Sequence, residues 1–306
     1  MTNKTTQLLR LAAAALLIVA GMGSCEQEER LNPDFNNPSD NFAPSPDDSS
    51  DEAQLRRHFH ELTGCYLLFT DTLQHRLLGN DINGQPRYFT ETIDLAYTVG
   101  QSSSTTMRYT FSFLQQYAQK QQVTDFLVQY VLPHLTKDLK PYSWMVCNII
   151  NSYKDTYSGS VSHPYAACNQ RCVVVAGNYL VQRERTEQQM QQYAQRILNA
   201  IVGQLAVNQS AAFGSFYQYS AEWYETDYSA AGIVGKPSND DLYQRGFLSS
   251  TGISSFPSMT TDLGTYALLV IQYSDEQLLK TYASYPLILQ KAKAVREVLL
   301  TLGYVF

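Results

Sequence analysis

The chain has 306 residues, of which 28 are acidic and 22 are basic, so its formal net charge is −6 at pH 7. Because no tract of the sequence is strongly basic, nucleic acid is excluded as an expected partner. Hydrophobic residues make up 44% of the chain, which is enough for a packed core. Tyrosine occurs 22 times. Such abundance fits a surface that contacts sugars or peptides, and it equally fits ordinary packing on sheet faces.

The first 24 residues have the layout of a signal peptide. Lys4 and Arg10 precede an apolar run over residues 11–20, and small residues follow. This run is too short to span about 30 Å of hydrocarbon as a stable helix, so we expect residues 1–24 to be a removable secretion signal. The letters GMGSC resemble a bacterial lipoprotein cleavage box, in which the cysteine is acylated. We therefore expect lipidation of Cys25 and anchoring to a membrane; the alternative is a secreted chain with an incidental cysteine.

Residues 25–53 are polar, acidic and rich in proline, with almost no aliphatic side chains. Such a segment cannot bury enough apolar surface to offset the entropy of ordering, so we expect a flexible tether. Glu26, Glu28 and Glu29 follow Cys25 and resemble the export signal that sends Bacteroidetes lipoproteins to the outer face of the outer membrane. The sequence therefore predicts a surface-exposed outer-membrane lipoprotein whose folded domain covers residues 54–306.

Four further cysteines lie in the predicted domain: Cys65, Cys147, Cys168 and Cys172. An even number of cysteines in an oxidising compartment permits disulfides, with three possible pairings that the sequence does not separate. The C-x3-C spacing of the last two also resembles half of a zinc site. No second pair of cysteines or histidines follows it, so a zinc role for this pair is disfavoured.

The first half of the domain mixes predicted strands with helices. The predicted helices cover residues 54–62, 106–120 and 123–133, the last ending near Pro133. Predicted extended segments cover residues 65–70, 85–99, 142–150 and 171–180. A turn-rich stretch at residues 79–84 separates the first two extended segments, and residues 151–170 are predicted to form a loop.

The second half is predicted to be helical. Thr186 and Gln189 form a capping box, in which each side chain bonds the other residue's backbone N–H. An apolar stripe at spacings of three or four follows, which predicts a helix of about 22 residues; its members are Met190, Tyr193, Ile197, Ile201 and Leu205. Three more helices are predicted over residues 239–246, 259–273 and 275–300. Without a regular βαβ repeat, this order indicates a single α+β domain.

From about Leu55 to Phe306, the chain resembles the zinc-binding metallopeptidase lipoproteins of Bacteroidetes that are associated with substrate import. Matching stretches include DFLVQYVLPHLTKDLKPYSWMVCNII, CVVVAGNYL, RGFLSSTGISSFPSMTTDLGTYALLVIQYS and YPLILQKAKAVREVLLTLG. The resemblance implies a zincin-like fold with a mixed sheet, a long central helix and a helical C-terminal half. It also implies zinc on a His-Glu-x-x-His helix and an acidic residue further along the chain.

This chain departs from that pattern at the positions that matter for zinc. The resemblance places the two histidines and the glutamate at Ile201, Leu205 and Val202, and it places the downstream acidic motif at residues 261–265, where Asp262 keeps a carboxylate. Aliphatic side chains cannot coordinate a metal or accept a proton. No histidine follows His163. We therefore expect a degenerate site with no catalytic residue, no metal ligand and no cofactor.

Two other sources of ligands deserve comparison. His58, His60 and Glu61 contain a His-Glu pair, but the i, i+2 spacing of the histidines points them to different sides of a helix. The replacement set that the sequence offers for an unorthodox metallopeptidase is His163, Cys168, Cys172 and Asp262. A glycan-acting enzyme is a further alternative, since its paired carboxylates need no local motif; the candidates are Glu222, Glu225 and Asp227.

The aromatic stretch after the long helix is the predicted binding surface. Its members are Tyr217, Tyr219, Trp223, Tyr224 and Tyr228. The leading functional hypothesis is a catalytically degenerate lipoprotein that binds a peptide or glycan during nutrient uptake, in association with an outer-membrane importer. The alternative hypothesis is an active hydrolase.

Overall fold

The computed structural model describes residues 41–95, 107–154, 160–169, 171–250 and 254–306. The predicted signal peptide at residues 1–24, the lipidated Cys25 and the tether up to residue 40 lie outside these residues, as does the end of the extended segment predicted over 85–99. In the part of the chain that is described, no helix has both the length and the apolar character needed to cross a bilayer.

The described residues contain nine strands and nine α-helices. The strands are β1 (Tyr66–Leu68), β2 (Thr72–Asn80), β3 (Pro86–Thr92), β4 (Met107–Ser112), β5 (Ser143–Cys147), β6 (Ile149–Lys154), β7 (Val161–Ser162), β8 (Ala166–Cys168) and β9 (Cys172–Ala176). The helices are α1 (Asp51–Thr63), α2 (Tyr117–Phe126), α3 (Asn178–Val181), α4 (Glu187–Asn208), α5 (Gly214–Gln218), α6 (Asn239–Tyr243), α7 (Met259–Gln272), α8 (Asp275–Tyr282) and α9 (Pro286–Leu302). The α+β prediction is therefore confirmed.

The folded unit begins earlier than the sequence indicated, because Asn41–Phe306 form one compact unit. The sequence predicts a tether over residues 25–53, so residues 41–53 correct that prediction. Phe42 is buried, and the Arg56 guanidinium donates to the carbonyl of Phe42 at 2.8 Å and to that of Leu67 at 2.8 Å. A single aromatic residue in a polar segment thus fixes that segment to α1, whose first turn is capped by the Ser50 side chain.

The main sheet has the strand order β1-β5-β9-β8. Strands β1, β5 and β9 run parallel to one another, and β8 runs antiparallel to β9. Every residue of β5 and β9 is buried. Helices pack on one face of the sheet, and strands β4 and β6 with neighbouring loops pack on the other, which explains why β5 and β9 read as continuous apolar runs rather than as alternating patterns.

Two smaller sheets account for the errors in the predicted first half. Residues 107–112, predicted to be helical, form β4, which pairs antiparallel with β6 and places Phe111 opposite Ile150. The strand predicted over 142–150 divides at Asn148 into β5 and β6, which belong to different sheets. The loop predicted over 151–170 contains the rest of β6, β7 and β8. Strands β2 and β3 form a separate antiparallel hairpin.

The predicted helical half is largely confirmed. Helix α4 spans 22 residues, and both hydrogen bonds of the Thr186–Gln189 capping box are present. The predicted helix over 275–300 is two helices, α8 and α9, because the chain turns at residues 283–285 and Pro286 occupies the first position of α9. Helix α4 packs against α7, and α7 packs against α9.

The main hydrophobic core lies between one face of the sheet and these helices. Val146 and Val175 of the sheet belong to the same buried cluster as Ile197 of α4, Tyr266 of α7 and Val295 of α9. A second cluster covers the opposite face of the sheet and includes Met145, Cys147, Cys172 and Val174. The candidate site is formed by the loops that follow α4, together with helices α7 and α9.

Candidate functional site

The three positions that the resemblance assigns to the zinc ligands and the catalytic glutamate carry aliphatic side chains that lie in the core or pack against it. Ile201 is 6% exposed and Val202 is fully buried, and both belong to the main hydrophobic cluster. Leu205 is half-buried and packs against the same cluster. These side chains have no lone pair to offer a metal, and they contact other apolar groups. The residues at these positions therefore do not fit the zinc ion that the resemblance implies.

Asp262 is also unsuited to a metal, since it pairs with a lysine. Its side chain is 1% exposed, and its Oδ2 atom lies 2.5 Å from the Nζ atom of Lys291, which is fully buried. The hydroxyl of Tyr224 donates to the same oxygen at 2.8 Å. Burial raises the pKa of Asp262, while the Lys291 ammonium lowers it. Asp262 therefore serves a buried polar network that also contains Lys291 and Tyr224.

Lys291 connects three separate segments of the chain. Its ammonium donates to Asp262 of α7, to the Ser220 hydroxyl at 2.9 Å and to the Gly246 carbonyl at 2.8 Å. These three close acceptors match the three N–H bonds of an ammonium, and the Tyr224 hydroxyl lies further away, at 3.4 Å. Burial lowers the pKa of Lys291, and the attraction of Asp262 raises it. We call Lys291 and its three acceptors the lysine cluster.

Aromatic rings surround the lysine cluster. The Nζ atom of Lys291 lies 4.5 to 5.4 Å from four ring centroids, at distances where the negative face of a ring attracts a cation; the rings belong to Phe216, Tyr224, Phe247 and Tyr266. Tyr266 also donates to the Gly246 carbonyl at 3.0 Å. The segments at residues 216–224 and 245–247 are thus held to helices α7 and α9.

A surface groove lies directly beside the lysine cluster. Its volume is about 590 Å³, and we call it the tryptophan groove; its lining residues are Gln218, Tyr219, Ala221, Glu222, Trp223, Gln244, Arg245 and Leu287. Ala221 follows Ser220 of the lysine cluster, and Arg245 precedes Gly246. The buried ion pair therefore positions the two chain segments that form most of the groove.

Arg245 brings a positive charge to the groove. Its guanidinium lies 5.0 Å from the ring of Trp223, within cation–π distance. Its Nη1 atom donates to the Asp241 carbonyl at 2.9 Å, and its Nη2 atom donates to the Ala231 carbonyl at 3.2 Å. The Nε–H is buried and has no hydrogen-bond partner among the described residues. Because this N–H is buried, Arg245 contributes the fixed positive charge of its guanidinium to the groove, and a negatively polarised oxygen of a ligand is attracted by that charge.

The five predicted aromatic residues divide between this groove and the interior. Tyr219, which is 39% exposed, and Trp223 line the groove. Tyr224 turns inward to Asp262, and Tyr217 lies against Tyr224 with a ring separation of 6.1 Å. Tyr228 is buried and contacts Phe256 edge to face. The structure therefore places two of the five on one open surface.

The candidate carboxylates of a glycan-acting site also separate. Glu222 lines the tryptophan groove, whereas Glu225 and Asp227 do not. Glu225 has a φ of 59° and donates its backbone N–H to the Pro257 carbonyl. Asp227 forms an isolated antiparallel bridge with Ser255. All three acids are exposed, and of the three only Glu222 adjoins the aromatic wall.

The replacement metal set is not assembled. His163 is exposed, Cys168 packs against the main core, and Cys172 belongs to the cluster on the opposite face of the sheet. Within the described ranges, no group of three or more histidine, cysteine, aspartate or glutamate side chains could hold a metal ion. His60 stacks on Tyr66 with a ring separation of 4.5 Å.

The four cysteines of the folded unit are free. Cys65, Cys147 and Cys172 are buried, and Cys168 is half-buried. Desolvation of the charged thiolate raises the pKa of both Cys168 and Cys172 to about 12. Each therefore carries a protonated thiol at neutral pH, a form that is neither a nucleophile nor a metal ligand.

Sequence reasoning missed Lys291 and Arg245. A signal for Lys291 existed, because it occupies the apolar stripe of α9, three residues after Ile288 and four before Val295. A charged residue at a core position predicts a buried partner. Arg245 had no comparable signal, since its contacts depend on how the loop after α6 meets Trp223.

Comparison with protein-family models, with curated proteins and with solved structures found no match to the chain.

Proposed function

We propose that the chain is a lipoprotein of the outer-membrane surface that captures a peptide or glycan in the tryptophan groove during nutrient uptake. In this proposal it is a catalytically degenerate relative of the zinc metallopeptidase lipoproteins, anchored through Cys25 and associated with an outer-membrane importer. The observation that carries the proposal is the combination of aliphatic side chains at the expected zinc-site positions with an open aromatic groove beside the lysine cluster that holds Asp262.

The proposed zincin-like fold is supported by the order of the elements. A mixed sheet, the long helix α4 and a helical C-terminal half follow one another, as the resemblance implies. Ile201, Val202 and Leu205 take the places of the zinc ligands and catalytic glutamate in that arrangement. Their burial lets α4 pack against α7 without an ion.

The tryptophan groove supports the binding role. Tyr219 and Trp223 provide flat apolar faces, while Gln218, Glu222 and Arg245 provide donors and acceptors around them. Ligand sites are usually lined by apolar and aromatic side chains, with a few polar groups that fix the orientation of the ligand. The volume of about 590 Å³ lies within the range of such sites.

A binding experiment with a matched pair of variants tests the capture role. The mature protein is titrated with a casein digest and with a panel of neutral and acidic glycans. Trp223→Ala should abolish or strongly weaken binding of whichever class binds. Tyr88→Ala also removes an exposed aromatic ring, from the distant hairpin strand β3, and should leave binding unchanged. Equal losses in both variants would refute the assignment of the groove.

Metal analysis tests the proposal that the expected zinc site no longer binds zinc. Purified protein is incubated with zinc, passed through a desalting column and analysed for bound metal. We expect less than stoichiometric zinc, and Ile201→Ala should not alter the amount. Stoichiometric zinc that a chelator removes would contradict the proposal.

The second candidate function is a glycan-acting hydrolase, for which Glu222 beside Trp223 would supply one of the two carboxylates that such an enzyme needs. Chromogenic glycosides and peptides are assayed with and without chelator. A glycosidase would show chelator-insensitive turnover that Glu222→Gln removes. If glycosides were hydrolysed in this way, the tryptophan groove would be a catalytic site rather than a site that only captures a ligand.

A further inference from the structure

A second groove lies along the first half of α4, and none of its lining residues belongs to the lysine cluster or to the tryptophan groove. Two adjoining cavities of about 390 and 330 Å³ share Gln129 and Tyr130. We call the pair the glutamine groove, because uncharged amide side chains line it; these are Gln121, Gln122, Gln129, Gln191 and Gln195. No predicted binding residue belongs to it.

A local irregularity of the backbone shapes this groove. After α2, the chain forms a π-helical turn over Leu127–Val131 and then a 3₁₀ turn over Leu132–His134. Leu127 and Val131 are buried, so the wide turn is fixed to the core, while Gln129 and Tyr130 lie where the two cavities meet. Single π-turns are rare and are frequently found at functional sites.

The walls of the groove are held in place by hydrogen bonds. The hydroxyl of Tyr130 donates to Glu187 Oε2 at 2.6 Å, and the ring of Tyr130 stacks on Phe126 at 5.3 Å. Gln191 donates to the other oxygen of Glu187 at 3.3 Å. Both oxygens of the carboxylate are thus engaged, and the hydrogen bond to Glu187 raises the pKa of the Tyr130 phenol. The groove presents a fixed aromatic ring and a satisfied carboxylate.

His134 adds a ring nitrogen with a defined role. Its Nδ1 atom lies 2.7 Å from the carbonyl oxygen of Val305, which can only accept, so Nδ1 carries the proton. In the neutral ring Nε2 is then an acceptor. The ring of His134 stacks on Tyr304, which also lines the groove. In the described part of the chain, the amides of Gln129 and Gln195 form no hydrogen bond, so their donors and acceptors face the groove unused.

We propose that the glutamine groove is a binding site for a neutral oligosaccharide. Its unengaged amides can pair with hydroxyl groups, each of which both donates and accepts, and the half-buried ring of Tyr130 can contact the C–H surface of a sugar. The lining residues include no lysine or arginine. A ligand that carries phosphate, sulfate or carboxylate groups therefore finds no counter-charge here, whereas Asp125 and Glu187 disfavour it.

A peptide ligand fits these walls less well. Extended peptides are usually bound by an exposed strand edge, with pockets for alternate side chains, and the groove is bordered by helices α2, α4 and α7. Gln191 and Gln195 lie inside α4, whose backbone N–H and C=O groups bond within the helix, so these residues offer no backbone ladder to an extended peptide. The geometry therefore favours a hydroxyl-rich chain.

The test uses the mature protein and four probes, namely maltohexaose, cellohexaose, xylohexaose and mannohexaose, with a casein digest as the peptide arm. Binding is measured by saturation-transfer NMR and titration calorimetry. Gln195→Leu and Gln129→Leu should each weaken binding of the preferred hexaose about tenfold, as expected for the loss of hydrogen bonds to a ligand. Gln192→Leu changes an exposed amide on the same helix outside the groove and should have no effect.

Each outcome decides the proposal. Gln129 is exposed, so its leucine variant should fold normally even if Gln195→Leu does not. Binding of a hexaose that both groove variants weaken and Gln192→Leu does not would support the site. Absence of hexaose binding, equal effects of all three variants, or peptide binding that the groove variants weaken would overturn it. Loss of binding by Trp223→Ala alone would instead assign the sugar to the tryptophan groove.

Discussion

Lys291 and Asp262 form an ion pair inside the core, with the ammonium nitrogen 2.5 Å from one carboxylate oxygen. Asp262 is the acid that the metallopeptidase resemblance places near a zinc ion, and here its counter-charge is a lysine from α9. Its second oxygen, Oδ1, is buried and has no partner among the described residues. The pair thus combines a large desolvation cost with attraction, hydrogen bonds and surrounding rings that offset it.

The first prediction concerns the pair itself. Lys291→Met should lower the free energy of unfolding by about 3–5 kcal/mol, because it leaves the Asp262 carboxylate buried without its partner. The double variant Lys291→Met with Asp262→Leu removes both charges and should recover most of this loss. Urea denaturation followed by circular dichroism measures both. A single variant that costs less than about 1 kcal/mol would mean that water reaches the pair.

The second prediction concerns Gly246, whose carbonyl accepts from Lys291. It has a φ of 77°, and an added Cβ would lie 2.8 Å from Ser220 Oγ and 3.0 Å from Lys291 Cδ. Gly246→Ala should therefore cost about 2–4 kcal/mol, since it adds steric conflict to backbone strain. Gly232 is the matched control, with a φ of 75° and open space around the same position.

Gly232→Ala should cost only about 1 kcal/mol, which is the backbone strain alone. Thermal unfolding of the two variants measures the difference between them. If the two losses were equal, the lysine cluster would tolerate an added methyl group, and its role in positioning the tryptophan groove would fail.

The sequence was a good guide where local signals and tertiary structure agreed. The capping box and apolar stripe predicted α4 because each requires only residues within a few turns of the helix. Strands β5 and β9 were readable because a buried sheet makes their whole length apolar. The predicted helix over 106–120 was wrong in its first half because pairing with β6 decides the conformation of β4, and β6 lies 37 or more residues further along the chain.

The candidate site was predictable only in part. The predicted binding surface stays a prediction, and two of its five residues, Tyr219 and Trp223, line the tryptophan groove. The inward turn of Tyr224 could not be read, because it depends on Lys291, which lies 67 residues away. The glutamine groove had no signal, since a π-turn is not visible in apolar spacing and glutamines on a helix usually mark a solvated face.

The third prediction tests the packing of Val202, which lies where the resemblance places a catalytic glutamate. Val202→Glu places a carboxylate where the resemblance puts a catalytic glutamate, yet Val202 is fully buried. It should lower the free energy of unfolding by more than about 3 kcal/mol, because the new charge is desolvated without a partner. Gln192→Glu makes a charge of the same kind at an exposed position on α4.

That control should change stability by less than about 0.5 kcal/mol. Both variants are compared by urea denaturation at neutral pH. A Val202→Glu protein as stable as the control would show that this part of α4 faces water, and the interpretation of a closed, degenerate site would then be lost.

The fourth prediction follows from the buried thiols. The pKa of Cys168 and Cys172 is about 12 in the folded chain, against an ordinary value of 9.0. Because the folded pKa is raised, each thiol contributes stability that is fully present below pH 9 and is lost as the pH rises towards 12. One pH unit above the ordinary pKa, ionisation of each thiol in the unfolded chain should lower the free energy of unfolding by about 1.4 kcal/mol.

Urea midpoints measured between pH 8 and pH 10.5 test this dependence. The Cys168→Ala variant should retain stability better than the parent over that range, because it has no thiol to ionise in the unfolded chain. Cys168 is the better choice for substitution than Cys172, since it is half-buried and leaves a smaller cavity. A variant whose midpoint falls as steeply as that of the parent would show that other groups, such as the buried tyrosines, account for the alkaline loss.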